Sequence, residues 1–407
     1  MKKIALLLLF SFSFFASNAQ TVYVCKDGDY TTRSLSEGYT LDLSNLPDSI
    51  TFSKPQITPV VTIVYNGTTA TVSIPTFLSN EVTCSSGTSS QVVIVNTNTT
   101  DEITYDVSGS SSAGSLTITS DYKMTVKLNG VSLTSTKGEA LRFKCGKRIE
   151  LVMADGTTNT FADTADNGVA VYADDSHKAC IYTKGHLELS GAGTLNVSGN
   201  YNHAIASKEY FQIKKTVKTV NIVKAANDAI HVGQYFQMNG GTLNIDKNTV
   251  SDGVQVEYKT DDNDNIVVDE ENTAGVIIKG GTLNITMDNS EDAKGIKAEG
   301  DITISGGTFT INAVANGSRG IQADGNVTIS ENDNTTTMTI AATGGKCTVA
   351  ADSDDPHKCW GMKIDGNLTV NAGTITVTKD GSTSKKGIKV GGTYTKNGGS
   401  VSATISN

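Results

Sequence analysis

Short alternating runs of apolar residues recur about every 25 residues through most of this chain, with two longer gaps. In Gly295–Ile311, three such runs are separated by glycine-bearing corners. Alignment of the chain on the first run places an apolar residue at Ile181, Ile205, Ile230, Val254, Ile296, Ile321, Met362 and Ile388. Period-two alternation predicts strands, and so short a repeat has no room for a helix.

This repeat predicts an all-β fold, a right-handed parallel β-helix of about 25 residues per coil, because like strands of successive repeats must stack to bury their apolar faces. We assign the β-helix to residues 101–407. The core is expected to include the inward-facing residues of each repeat, which in the example above are Ile296, Ala298, Ile302, Ile304, Phe309 and Ile311.

Residues 20–100 do not follow the repeat. Two alternating runs, Val61–Tyr65 and Ala70–Ile74, are joined by Asn66 and Gly67, a sequence that favours a tight hairpin turn. The open end of a stack of parallel strands exposes unpaired backbone groups to other chains. We therefore expect residues 20–100 to form a small N-terminal β cap over the first coil.

Residues 1–19 read as a signal peptide, with two lysines, an apolar run from Ile4 to Phe15 and a small-residue cleavage site before Gln20. The mature chain is therefore expected to be exported, to the periplasm or the extracellular space. The rest of the chain has no apolar stretch long enough for membrane insertion. A net charge of −9 argues against nucleic acid as a partner. A monomer is expected.

Six cysteines in an exported chain can form three disulfides, although sequence alone does not choose among the pairings. Cys347 and Cys359 flank an acidic loop and are the favoured pair. Nearness in sequence suggests the two other pairs, Cys145 with Cys180 and Cys25 with Cys84.

The outward position after each aligned apolar residue defines a column, since equivalent positions in stacked strands lie about 4.8 Å apart. Its first two positions are Tyr182 and Ala206, which are also expected to face solvent. The remaining members, which we call the polar column, are His231, Gln255, Lys297, Gln322, Lys363 and Lys389. Such a strip of hydrogen-bonding and cationic side chains suits an extended, hydroxylated polymer. Outward strand positions are also commonly polar without any ligand.

Two further columns are visible. In the third run of each repeat the outward residues include Asn196, Asn221, Asn244 and Asn284, and stacked asparagine amides can hydrogen-bond along such a column, which favours a structural ladder. Tyr210 and Tyr235 occupy one outward position in consecutive repeats. They either offer a platform for sugar rings or stabilise neighbouring strands as an aromatic pair.

Asp228 and Asp252 precede the aligned apolar residue in consecutive repeats, so their carboxylates are expected to be about one strand spacing apart. Two carboxylates that close cannot both ionise without compensation. A Ca²⁺ ion would supply it, and Asp292 or Glu291 in the next repeat is a candidate third ligand. The alternative is a charge ladder in which Lys294 pairs with Asp252.

The chain resembles the secreted bacterial carbohydrate-binding β-helix family over roughly residues 60–405. The motifs that carry the resemblance are Ile63-Val64-Tyr65-Asn66-Gly67, Met153-Ala154-Asp155-Gly156-Thr157, Asn227-Asp228-Ala229-Ile230-His231, Lys294-Gly295-Ile296-Lys297-Ala298 and Ile304-Ser305-Gly306-Gly307-Thr308. The resemblance implies a fold similar to that of calcium-dependent pectate lyases, bound Ca²⁺ and a plant-cell-wall or acidic polysaccharide as ligand. The matching metal positions are Asp228, Asp252 and Asp292.

These observations favour noncatalytic, calcium-dependent binding of a polysaccharide along the polar column. A calcium-dependent polysaccharide lyase is the enzymatic alternative, with Lys294 as its base, but neighbouring carboxylates favour the charged form of a lysine, which is unsuitable for a base. A structural adhesin, whose columns serve only to hold a rigid stalk, is the third alternative.

Overall fold

The computed structural model describes residues 20–35, 49–51, 57–164, 177–261, 263–347, 358–379 and 387–406. Regular structure in these residues is almost entirely β-strand, and the one helical element among them is a 3₁₀ turn at Thr76–Leu78. In this described part of the chain, no helix is long and apolar enough to cross a membrane. The predicted signal peptide, residues 1–19, lies outside the described residues.

A sheet of 13 strands extends through the repeats. The aligned apolar residues are direct partners in it, from Ile181 opposite Ile205 to Met362 opposite Ile388. All its pairings are parallel except the first, which is antiparallel. Its strands are Val82–Cys84, Gln91–Asn96, Ser115–Ser120, Leu141–Lys144, Ala179–Thr183, His203–Ser207, Ile230–Val232, Val254–Val256, Lys294–Ala298, Arg319–Ala323, Trp360–Ile364, Ile388–Val390 and Ile405–Ser406.

Two further series of parallel strands start from the long strand Ile103–Ser111, whose two halves pair with the first strand of each. The second series comprises Met124–Leu128, Ile149–Met153, Leu187–Ser190, Phe211–Ile213, Tyr235–Met238, Gly275–Ile278, Ile302–Ile304, Val327–Ile329, Leu368–Val370 and Tyr394–Lys396. The third series comprises Ser132–Thr134, Thr158–Ala162, Thr194–Gly199, Thr219–Ala225, Thr242–Ile245, Thr282–Met287, Gly307–Ala313, Thr336–Ala342, Thr374–Lys379 and Ser400–Ser402.

A single repeat contributes one strand to the 13-stranded sheet and one to each series. The repeat around Gly295–Ile311 supplies Lys294–Ala298, Ile302–Ile304 and Gly307–Ala313. Its six predicted inward residues are each at most 1% exposed and belong to one continuous core: Ile296, Ala298, Ile302, Ile304, Phe309 and Ile311. The prediction of an all-β chain with large parallel sheets is therefore confirmed.

The predicted hairpin is present at the N-terminal end. Val60–Asn66 pairs antiparallel with Thr69–Ser73 around a turn in which Gly67 has a φ of 68°. The strand Val60–Asn66 also pairs in parallel with Ile103–Ser111, so the hairpin continues the parallel arrangement. Three earlier strands form a separate antiparallel sheet: Gln20–Lys26, Asp29–Leu35 and Ser49–Thr51. That residues 20–100 act as a cap remains a prediction.

The predicted disulfides are wrong in this structure, where all six cysteines are thiols. The residues that precede Cys347 and Cys359, namely Lys346 and Lys358, pair in an isolated antiparallel bridge. The thiols themselves have different partners: Sγ of Cys347 donates to a carboxylate oxygen of Glu291 at 3.3 Å, and Sγ of Cys359 donates to the Ala313 carbonyl at 3.4 Å. Cys145 likewise donates to the Tyr122 carbonyl, at 3.3 Å. Cys180 is fully buried, and Cys25 and Cys84 are partly buried.

Candidate functional site

The polar column is continuous in the 13-stranded sheet. Its six side chains are half-buried, and each residue is the direct partner of the next in the order His231, Gln255, Lys297, Gln322, Lys363 and Lys389. They alternate with fully buried neighbours such as Ile296 and Ala298, so they lie on the outer face of the sheet. The structure thus brings the six residues of the polar column together in one strip.

Members of the polar column are held by polar contacts on the same face. Nε2 of Gln255 donates to Glu257 at 3.1 Å, and Nζ of Lys363 lies 2.9 Å from a carboxylate oxygen of Asp365. Oε1 of Gln322 accepts a hydrogen bond from Arg319 at 2.5 Å. Hydrogen-bond donors and acceptors therefore both lie along the strip, and a hydroxylated polymer would meet both.

Toward the N-terminus, the column ends sooner than its sequence pattern suggested. Tyr182 is 3% exposed and Ala206 is 5% exposed, and together with Ala179 they form a small buried cluster. The guanidinium group of Arg142 lies 5.8 Å from the centre of the Tyr182 ring. The expectation that Tyr182 and Ala206 face solvent is therefore wrong, because the outer face of the sheet is covered at this end.

Tyr210 and Tyr235 lie on the second series, on a different sheet face from the polar column. Their rings stack at 4.9 Å between centroids, and His186 stacks on the other side of Tyr210 at 4.1 Å. Tyr210 is 8% exposed, and its hydroxyl donates to Glu188 at 3.1 Å. Both faces of the Tyr210 ring are covered, so the prediction that it offers a sugar platform is wrong. This stack instead matches the alternative, an aromatic pair that stabilises adjacent strands.

A charged groove that the sequence pattern did not indicate lies beside this stack. It is lined by Glu150, Asp155, Ser190, Lys214 and Thr216. Nζ of Lys214 lies 3.0 Å from Glu150, whose carboxylate also accepts from the Ser190 hydroxyl at 2.7 Å. Glu150 and Glu188 are direct partners in the second series. Column alignment of the second run of each repeat, as applied to the first, would have identified them.

Asp228 and Asp252 are adjacent, as predicted, but their carboxylates have other partners. Oδ1 of Asp228 accepts the backbone N–H of Asp252 at 3.0 Å, and Oδ1 of Asp252 accepts the backbone N–H of Lys294 at 2.7 Å. Nζ of Lys294 pairs with Asp292 at 3.0 Å. Asp292 also faces Arg319, at 3.3 Å. The contacts thus form a ladder of carboxylates with backbone amides and basic side chains.

The second oxygen of Asp228 lies between two imidazoles. Oδ2 is 3.2 Å from Nδ1 of His203 and 3.1 Å from Nδ1 of His231. Burial alone would raise the pKa of Asp228, but the adjacent imidazoles hold it well below its usual range. Burial opposes the charge of His231, yet Asp228 and Glu257 raise the pKa of this histidine to about 9. Burial and the charge of the neighbouring His231 lower the pKa of His203, although Asp228 opposes them.

The predicted calcium ligands do not supply the six to eight oxygen donors that a calcium ion requires. Asp228 faces two ring nitrogens, Asp252 accepts a backbone amide, and Asp292 faces two basic side chains. Burial and the nearby charge of Asp228 raise the pKa of Asp252 to about 6 although Lys294 opposes them, so this carboxyl group is partly protonated in mildly acidic solution. The three carboxylates do not fit one shared calcium ion. The calcium dependence of ligand binding stays a prediction.

Comparisons with known proteins agree with the sheet architecture. A family model described as carbohydrate-binding domain-containing protein matches residues 89–407. A protein of that description from Acetivibrio thermocellus is 27% identical over 93 residues, which is 23% of this chain and 32% of the relative; the chain thus spans about a third of that relative's length.

Among solved structures, a polysaccharide lyase-like protein from C. thermocellum, studied as a gadolinium derivative, has a similar fold. It aligns with a TM-score of 0.52 and 21% identity, over 67% of this chain and 97% of that chain. This likeness concerns the fold alone. Since the family model spans most of the chain and nearly all of the parallel sheets, the chain belongs to the carbohydrate-binding domain-containing protein family.

Proposed function

We propose that this protein binds a polysaccharide noncatalytically along the polar column. The observation that carries the proposal is the register of the 13-stranded sheet, which makes six predicted polar residues direct neighbours, from His231 to Lys389. Adjacent strands lie about 4.8 Å apart, so the strip is long and regular enough to contact several sugar units. Membership of a carbohydrate-binding family supports the ligand class.

The proposal includes the architecture that presents this strip. Residues 101–407 would form a right-handed parallel β-helix of about 25 residues per coil, residues 20–100 its cap, and residues 1–19 a signal peptide that directs export to the periplasm or the extracellular space. A rigid stack suits an extended ligand, because little ordering entropy is lost when a preformed surface binds.

Plant-cell-wall and acidic polysaccharides are the proposed ligand class, because three of the six column residues are lysines: Lys297, Lys363 and Lys389. The test is a polysaccharide array probed with the mature protein, with and without a chelator. Retention of a uronate polymer or a cell-wall glucan supports the proposal, and no retained polysaccharide contradicts it. Loss of retention with chelator that added Ca²⁺ alone restores would support calcium dependence, and unchanged retention would show that binding needs no metal.

A lyase remains the enzymatic alternative, favoured by the name of the structural neighbour. Its proposed base, Lys294, forms an ion pair with Asp292 at 3.0 Å, and its side chain is 13% exposed. The ion pair occupies the Nζ group that would have to reach the substrate proton. We therefore expect no release of ultraviolet-absorbing unsaturated sugars from pectate. Such release would establish the lyase.

A further inference from the structure

Two histidines and one aspartate meet at the N-terminal end of the polar column. We propose that His203, Asp228 and His231 bind one divalent transition-metal ion of the zinc class. The ligand atoms are Nδ1 of each histidine and Oδ2 of the aspartate. In the described part of the chain, this is the one group of three metal-binding side chains whose ligand atoms lie within 4.8 Å of one another.

The spacing of the ligand atoms suits such an ion. Oδ2 of Asp228 lies 3.2 Å from Nδ1 of His203 and 3.1 Å from Nδ1 of His231. Zinc bonds to nitrogen and oxygen ligands are roughly 2.0–2.1 Å long, so the edges of a zinc-centred tetrahedron measure roughly 3.3–3.4 Å. These two edges thus need to open by only a few tenths of an ångström to admit the ion.

Nδ1 of His203 points independently to a missing partner. The residue is 9% exposed, and the contact of this nitrogen with Oδ2 of Asp228, at 3.2 Å, lacks the alignment of a regular hydrogen bond. Buried polar atoms are seldom left unsatisfied. A metal ion beside Oδ2 of Asp228 would satisfy this nitrogen and would not require the aligned N–H···O geometry that the pair lacks.

Surrounding contacts orient the ligands for this role. Nε2 of His231 lies 3.0 Å from Glu257, so Nδ1 is the nitrogen directed at Asp228. Glu257 is itself held by Gln255, at 3.1 Å. Oδ1 of Asp228 accepts the Asp252 amide and leaves Oδ2 for the metal. A carboxylate behind a metal-binding histidine is the usual supporting contact in such sites.

The backbone also fixes the two imidazoles. His203 begins the strand His203–Ser207, and His231 lies in the neighbouring strand Ile230–Val232. Their rings stack at 4.4 Å with an angle of 26° between planes. Ligands on paired strands of a packed sheet lose little freedom when a metal binds, so the site is largely preorganised.

The donor set selects the class of ion. Imidazole nitrogens favour zinc, copper and nickel, whereas calcium and magnesium require oxygen ligands. Three protein ligands leave a fourth coordination position. The side chain of His231 is 24% exposed, so the site lies next to solvent and beside Gln255, the next member of the polar column. The alternative is a metal-free cluster in which Asp228 pairs with a protonated His231.

Calorimetric titration of the chelator-treated mature chain, without a histidine tag, tests the proposal. We expect one Zn²⁺ per chain in the wild type and at least 100-fold weaker binding in Asp228→Asn and His231→Gln. Loss of the supporting carboxylate in Glu257→Gln should weaken binding about 10- to 100-fold. His186→Gln is the matched control, since His186 also pairs with a carboxylate, Glu209 at 2.8 Å, but lies outside the cluster. The affinity of this control variant for Zn²⁺ should equal that of the wild type.

A second measurement does not depend on whether the variants fold. Co²⁺ added to the wild-type chain should give the intense visible absorption of a low-coordinate nitrogen and oxygen site. Failure of the wild type to bind Zn²⁺, unchanged affinity in folded Asp228→Asn, or the near-ultraviolet band of a cobalt–thiolate bond would each overturn the assignment. The last result would place the ion on a cysteine instead.

Discussion

Gly320 lies where two repeats pack closely. A Cβ atom at this position would be 2.5 Å from Cγ2 of Ile340 and 2.6 Å from the Gly361 carbonyl oxygen. Gly295 is equally confined by the carbonyl of Gly320, so the glycines of successive repeats make room for one another. The repeat therefore needs glycine here for space, whereas the corner at Gly67 needs it for a positive φ.

Gly320→Ala should lower the free energy of unfolding by about 1–3 kcal/mol, because neither the carbonyl nor the buried isoleucine can retreat freely. Urea denaturation measures the change. Gly146→Ala is the control, since a Cβ there meets nothing within 4 Å. If both variants unfolded alike, close packing at Gly320 would be disproved.

Glu150 should give the protein a measurable acid sensitivity. Burial tends to raise its pKa, but hydrogen bonds from Ser190 and Lys214 and the charge of Arg148 lower the pKa below 4.5. The folded state therefore binds this proton less readily than the unfolded state does. The stability contributed by Glu150 is present above the unfolded pKa and is lost as the pH falls through the folded pKa.

When the pH is lowered from about 6.5 to about 3.5, the melting temperature of the Glu150→Gln variant should fall less than that of the wild type. Thermal unfolding followed by circular dichroism across this range measures the difference. The exposed Glu270→Gln serves as the control and should follow the wild type. An unchanged pH profile for Glu150→Gln would contradict a stabilising role for the ion pairs around Glu150.

At the scale of the strand, an asparagine ladder links four repeats. Nδ2 of Asn221, Asn244 and Asn284 each donates to Oδ1 of the preceding asparagine, the first of which is Asn196, at 2.8 Å. The predicted structural ladder is thus confirmed. The amides are half-buried and hydrogen-bond to one another, so they stabilise the parallel register of the third series.

Asn221→Ala removes two of these hydrogen bonds and leaves an unpaired acceptor on Asn196 and an unpaired donor on Asn244. The expected loss is about 1 kcal/mol in the free energy of unfolding, since the site is partly solvated. Thr339→Ala is a suitable control, because Thr339 occupies the same column in a repeat that has no asparagine there. Equal losses in the two variants would show that the ladder adds no stability.

The strands and their alignment were predictable because each inward apolar residue is followed by an outward polar one, and this alternation is local in sequence. The burial of side chains on the outer face was not predictable, as Tyr182 and Tyr210 show. Tyr182 packs over Arg142, and Tyr210 lies between His186 and Tyr235. Such covering depends on contacts between repeats, which the period alone does not specify.

The candidate metal site was predictable in part for the same reason. The column argument correctly brought Asp228 beside Asp252, since both precede the aligned apolar residue. It did not reveal that His203 and His231 turn toward Asp228, because side-chain direction at a strand end depends on local contacts such as that between His231 and Glu257. A calcium prediction based on carboxylates alone therefore overlooked the nitrogen donors.

At the scale of the whole molecule, the three sets of parallel strands share one core and expose their outer faces separately. The polar column lies on the 13-stranded sheet, and the charged groove beside Glu150 and Lys214 lies on the second series. Substitutions on one face should therefore leave the other unaffected. This separation allows the binding surface to be located by variants that do not disturb the fold.

The most direct test of the account is calorimetric titration of the double variant Lys297→Ala, Lys363→Ala with the polysaccharide that the array identifies. The matched control is Lys279→Ala, which removes an exposed lysine just after the strand Gly275–Ile278 of the second series. We predict that the double variant binds at least about tenfold more weakly, or about 1.4 kcal/mol, while the control binds like the wild type. Unchanged affinity in a folded double variant would contradict polysaccharide binding along the polar column and would favour a purely structural role for it.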